Sequence, residues 1–205
     1  MRFILNRITT LLYYSLIFPF YKLTLGSLHV RGRIYSPLKI AGRRNIHIGK
    51  CVYINYRVWL EASPINKDTD CRLEIGDGCN IGNFNHIFVT RSVILGKNVL
   101  TADKVYISDC GHEYTDVSLP ILHQPVKQLR NVIIGDGAWL GENVCVIGAS
   151  VGKGSVVGAN SVVTRDIPDF SVAVGSPAKV VKRYSFEKKE WLKTNEEGEF
   201  LETRL

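Results

Sequence analysis

Five histidines and five cysteines carry much of the chemistry available to this chain of 205 residues. An imidazole titrates near neutrality, so it can take or return a proton, and with thiolates it can also hold a metal ion. The metal option fails on spacing. His29, His47, His86, His112 and His123 include no pair four residues apart, and Cys51, Cys71, Cys79, Cys110 and Cys145 include no C-x-x-C pair. The odd number of cysteines gives no disulfide framework and fits a reducing cytoplasm. Proton transfer remains. His112 falls with Asp109, Cys110 and Asp116 in residues 109–131, a stretch that breaks the regular pattern of the chain. A loop this long is functional or disordered, and its proline, aromatic and aliphatic content favours order.

The elements that must position these groups announce themselves by a period of six. Aliphatic residues recur at Ile48, Ile54 and Leu60, at Ile75, Ile81 and Ile87, at Ile134, Leu140 and Val146, and at Val151, Val157 and Val163. Leu95 and Ile107 keep the phase across Thr101. A second set, Val52, Val58, Val99, Val105, Val144 and Val162, is read as four positions further on, and glycine follows many of the first set. Six is neither the 3.6 of a helix nor simple alternation. It implies a solenoid in which each unit is a short strand and a corner, with three units closing one coil and glycine or asparagine serving the corners. A β-sandwich rich in glycine is the alternative, and it does not explain a phase held over so many units. The phase slips between Thr90 and Val93, and a polar excursion falls between Ala62 and Leu73.

Composition agrees with one domain plus appendages. Hydrophobic residues make up 45% and charged residues 22%, which excludes disorder and a polytopic membrane protein. The net charge of +7 and pI near 9.2 favour anionic partners without choosing among them. Residues 1–30 form an apolar segment, uncharged from Ile8 to Tyr21 and broken by Pro19, too short to span a bilayer and lacking a small-residue cleavage site. It is either an interfacial helix with basic flanks, making peripheral contact with membrane, or a helix packed on its own protein. Residues 31–183 form the solenoid with the protruding loop 109–131. Residues 184–205 read as a charged, partly helical tail.

Two runs, Ile134-Gly-Asp-Gly-Ala-Trp-Leu-Gly-Glu-Asn and Val157-Gly-Ala-Asn-Ser-Val-Val-Thr-Arg-Asp-Ile-Pro followed by Val174-Gly-Ser-Pro-Ala-Lys, resemble the acetyl-CoA end of hexapeptide-repeat sugar O-acetyltransferases. The likeness covers about residues 42–183. It implies an all-β fold, a left-handed parallel β-helix, assembled as a homotrimer with active sites between subunits and located in the bacterial cytoplasm or on the inner face of its membrane. It also implies His112 as general base for a sugar hydroxyl, acetyl-CoA as donor and no metal. Asp109 and Asp116 are implied to orient the imidazole or touch the acceptor, with Asn83 and Asn85 of the Asn83-Phe84-Asn85 run as sugar contacts. Trp139, Gly141, Ala159, Thr164, Arg165, Lys179 and Lys182 are implied along the cofactor, with Arg183 in support. Many polysaccharide-type members of the family it resembles carry a second histidine where Cys110 stands, and one relative has a small hydroxyl residue where Glu142 stands.

The acceptor implied is a sugar of a surface polysaccharide such as O-antigen or capsule, free or lipid-linked. A free sugar, an amino sugar or another small molecule is the runner-up. A γ-type carbonic anhydrase uses a similar β-helix but needs the histidine pair that this chain lacks. A non-catalytic scaffold has no use for both halves of an acyl-transfer site, and no nucleic-acid motif is present.

Overall fold

In a computed structural model of the protein, residues 10–65, 70–195 and 198–201 are described. Every member of the six-residue series, Thr101 included, is buried. Thr101 keeps its place in the core because its hydroxyl accepts the Gly82 amide at 3.0 Å. The strands bearing these residues form three parallel sheets that the chain visits in rotation. The first sheet joins Ser27–Leu28, Ile46–Ile48, Arg72–Ile75, Ser92–Leu95 and Val132–Ile134, and single parallel bridges extend it to Val151 and Ile167. The second runs from Arg33–Ile34 through Tyr53–Ile54, Asn80–Ile81, Leu100–Thr101, Trp139–Leu140 and Val156–Val157 to Ser171–Val174. The third joins Lys39–Ala41, Trp59–Ala62, His86–Val89, Tyr106–Ser108, Cys145–Ile147 and Val162–Val163.

Each strand pairs with the strand one coil before it, so like residues stack. On the third sheet the buried row reads Ile40, Leu60, Ile87, Ile107, Val146 and Val163. One continuous hydrophobic cluster runs from Tyr21 to Val180. Because the strands of the coils are only two to four residues long, this stacking rather than any single strand holds the fold together.

The corners correct two expectations. Val162 faces outward and is half-buried, and Ser161 takes the buried slot, its Oγ accepting the Gly175 amide at 3.0 Å. Where glycine follows the aliphatic residue it is needed for space rather than for a left-handed backbone: a Cβ on Gly135 would stand 2.5 Å from the Lys153 nitrogen of the next coil. Positive φ falls two residues later, at Gly137 and, in other corners, at Asn98 and Asn143.

Both termini differ from expectation. Strand pairing begins at Ser27, inside the apolar segment, since Ser27 and Leu28 pair with His47 and Ile48. Before it, a π-helical turn Tyr13–Ile17 runs into a helix Phe18–Thr24 with Pro19 in its first turn. The C-terminal tail is not helical over its described residues. Lys179–Ser185 returns antiparallel along Ser171–Val174, and Glu190–Lys193 pairs with it in turn. The long loop also holds structure of its own, an antiparallel hairpin of Cys110–His112 with Val126–Gln128 and a 3-10 turn Ile121–His123.

Candidate active site

The hairpin leaves the third sheet just after Ser108, and its root is built on Asp109. That residue is fully buried, and its carboxylate accepts the amides of Thr90, Arg91 and Ser92 at 2.8, 2.7 and 2.7 Å and the Thr90 hydroxyl at 2.9 Å. Its own carbonyl accepts the Leu129 amide and the Gln128 side chain, both at 2.9 Å. The phase slip at Thr90 and the long loop are therefore one feature. The corner one coil earlier is tied by the residue that launches the hairpin. Asp109 has no oxygen to spare for an acceptor sugar, so the expectation of acceptor binding is overturned.

From this root the hairpin carries His112 outward, opposite Val126. The imidazole is exposed and makes no hydrogen bond with any described residue. Beside it, Glu113 is paired with Lys127 at 3.0 Å across the hairpin, and hydrogen bonds, first from Lys127 and then from the Tyr114 amide, hold its carboxyl below the usual range. The rest of the loop is tied down by buried Gln124, whose Nε2 donates to the carbonyls of Asp116 and Leu119 at 2.9 and 3.0 Å. Asp116 is exposed and caps the next turn, accepting the Ser118 amide at 2.9 Å. Cys110 lies buried beside the Ser108 hydroxyl at 3.4 Å, and burial pushes its thiol up, so it stays protonated near neutrality.

Asn83 and Asn85 serve the corner before His86. The Asn83 amide group donates to Asp103 at 3.1 Å and accepts the Tyr56 backbone N–H at 3.1 Å. Asn85 is fully buried, with its Nδ2 on the Ala102 carbonyl at 2.8 Å. Its place four residues after Ile81 is the inward slot that valine fills in other coils, which removes Asn85 from reach of an acceptor. His86 stacks on Trp59, ring centroids 4.3 Å apart, and burial holds its pKa below the ordinary value.

The residues expected along a cofactor divide in three. Thr164, Arg165 and Lys179 meet in a cleft of about 530 Å³, closed by Asp166, Pro168 and Pro177. Trp139 is 47% exposed on the outer side of the second sheet, where the register continues through Val156 and Val172 to Lys182. Ala159 is exposed at the neighbouring corner. Gly141 is buried, its amide on the Val157 carbonyl at 2.8 Å and a Cβ there only 2.7 Å from the Ala159 nitrogen, so its duty is coil packing. Arg183 turns to the C-terminal segment and donates to the Gly198 carbonyl at 3.3 Å. Glu142 pairs with Lys104 at 2.8 Å. Among the described residues no cluster of metal-ligating side chains is present.

Residues 131–165 match the family described as hexapeptide repeat of succinyl-transferase. Over 152 residues the chain is 30% identical to the galactoside O-acetyltransferase of Escherichia coli K12, the match covering 71% of this chain and 70% of that protein. The chain belongs to the hexapeptide-repeat acetyltransferases. Within that family it is 41% identical over 124 residues to the putative lipopolysaccharide biosynthesis O-acetyl transferase WbbJ of the same organism, which covers 57% of this chain and 63% of that one. It is 38% identical over 138 residues to a probable acetyltransferase of Mycobacterium tuberculosis, Rv3034c, over 67% of this chain and 44% of that one. The chain thus spans less than two thirds of the length of the first of these two relatives and less than half of the second. Among solved structures, an N-acyltransferase from Bacillus cereus, AntD, in complex with dTDP and 3-hydroxybutyryl-CoA, superposes with a TM-score of 0.66 at 17% identity, covering 83% of this chain and 89% of that one. A hexapeptide-repeat acetyltransferase from Vibrio cholerae, VCA0836, gives 0.56 at 19% identity, over 88% of each chain. Both are likenesses of fold.

Proposed function

We propose that this hexapeptide-repeat acetyltransferase is a left-handed parallel β-helix that works as a homotrimer and transfers an acetyl group from acetyl-CoA to a sugar hydroxyl of a bacterial surface polysaccharide, free or lipid-linked. One observation carries the reading: a buried carboxylate, with both oxygens spent on the corner of the preceding coil, fixes the root of a hairpin whose first strand ends in an exposed imidazole. A neutral imidazole so presented takes the hydroxyl proton as the sugar oxygen attacks the thioester carbonyl, and returns it to the departing thiolate. The thioester supplies the activated acyl group.

The cleft suits the donor. Thr164 offers a hydroxyl, and Arg165 and Lys179 offer cationic donors for phosphate, while the Asp166 carboxylate is already taken by the Ser150 amide and by Arg130. The exposed face of Trp139 gives an apolar surface on the adjoining sheet. The polysaccharide assignment is supported by the name of the WbbJ relative, and a sugar acceptor by that of the galactoside enzyme.

Calorimetric titration with acetyl-CoA tests the donor without knowledge of the acceptor, and the expected result is binding near one per subunit. His112→Ala is expected to keep that binding and to lose transfer by about 100-fold or more in an acceptor screen. Full transfer in His112→Ala, or no acetyl-CoA binding by the folded wild type, overturns the reading.

A further inference from the structure

The net charge of +7 is not spread along the chain. Residues 1–60 contain ten of the 26 lysines and arginines and none of the 19 acidic residues, so this stretch carries +10 and the remainder −3. Eight of the ten, from Lys22 to Arg57, lie among the described residues, which from residue 10 to residue 60 build a helical segment and nearly the first two coils. One end of the solenoid is therefore basic, and the rest of the molecule is mildly acidic.

That same end bears an open apolar face. The helical stretch from residue 10 to Thr24 packs inward through Tyr13 and Tyr21, with Leu25 following, and the Tyr13 hydroxyl accepts the Ile34 amide at 3.0 Å. On its other side Leu16, Phe20 and Leu23 are 68%, 50% and 72% exposed, and Leu11 is 73% exposed. Residues 16, 20 and 23 follow the spacing that aligns side chains along one helix face. Arginines stand at both ends of this helical stretch. At one end Arg33 donates to the Thr10 hydroxyl at 2.8 Å and lies over the Tyr13 ring, next to exposed Arg31. At the other, Arg43 lies 4.9 Å from the Phe20 ring centroid and donates to the Thr24 hydroxyl, next to exposed Arg44.

We propose that this end docks on an anionic phospholipid surface, with the helix lying in the plane of the interface. An apolar stripe free of acidic residues, on a helix with guanidinium groups at both ends, matches both layers of such a surface, acyl chains below and phosphates at the headgroups. Stripe-on-stripe contact with a second copy would press two basic ends, free of acidic residues, against each other, and a nucleic acid leaves the leucines in water. Among the described residues no helix is long and apolar enough to cross a bilayer. The proposal is independent of the acyl-transfer reading.

The test is co-sedimentation of the full chain with phosphatidylcholine vesicles, with and without phosphatidylglycerol. Binding to the anionic vesicles only, weakened by added salt, is expected. Arg31→Asn with Arg44→Gln removes two charges and is expected to weaken binding roughly 25-fold, at about fivefold for each basic residue near the surface. Leu16→Glu with Leu23→Glu, both at exposed positions, is expected to weaken it by about tenfold or more, with unfolding midpoints checked in each variant. No sedimentation with anionic vesicles, equal binding to neutral ones, or wild-type affinity in both variants overturns the proposal. So does a fall in oligomer mass of the leucine variant together with absent vesicle binding, which assigns the face to contact between copies.

Discussion

The carboxylates of Asp77, Asp103, Asp136, Asp166 and Asp169 each accept a backbone N–H one coil earlier, at Lys50, Asn83, Lys97, Ser150 and Lys153, at 2.7 to 2.8 Å. A tight corner turns amides away from the sheets, and an aspartate stacked beneath satisfies them. Asp109 carries this to its limit, with three amides and a hydroxyl on one buried carboxylate. Asp109→Ala leaves those donors without acceptors, and the expected loss is about 3 kcal/mol or more of folding stability, read from the denaturant midpoint. Asp109→Asn, which keeps one acceptor oxygen, is expected to fall between the two. A wild-type midpoint in Asp109→Ala would remove the knot from the account of how His112 is held.

Elements here are set by what lies beside them more than by their own residues. The six-residue rows are legible in the sequence because every member of the first set must face inward for the phase to persist. The run from Val157 to Lys179 likewise holds both walls of the cleft, so the sequence alone groups Thr164, Arg165 and Lys179. Asn85, Asp109 and Gly141 depart from expectation because a corner residue can face in or out with the same sequence spacing. The tail departs from it for a different reason. Lysine and glutamate around Trp191 favour a helix locally, yet Ser171–Val174 would end the second sheet as an open edge, and Lys179–Ser185 and Glu190–Lys193 cover it. Tyr184 packs edge-on against Phe186 and, across the strand pair, against Trp191, the cross-strand contact that no propensity reveals. Trp191→Ala is expected to loosen this cover by about 1 kcal/mol, visible as faster hydrogen exchange of the Lys179–Ser185 amides with little change near Ile107. Uniform acceleration along the chain would mean that the cover and the coils open as one unit.

At the scale of the whole molecule, the solenoid is a polar object with a basic, apolar end at the N-terminus and the cleft toward the other. Any rotational assembly about one axis puts all copies of the N-terminal end at the same height. In the proposed homotrimer, the three interfacial helices then lie at one height, and on a bilayer docked at that end the second and third bind at the high effective concentration set by the first. This joins the two proposals in one measurement. Wild-type chain is co-refolded with the Leu16→Glu, Leu23→Glu variant at graded ratios, so that mixed trimers form, and vesicle binding is followed against the wild-type fraction. With three helices cooperating, binding falls steeply once one or two copies are altered, because each lost helix removes a multiplicative factor of about tenfold or more. A linear fall means that each chain binds alone, either because copies do not assemble about one axis or because only one helix reaches the surface.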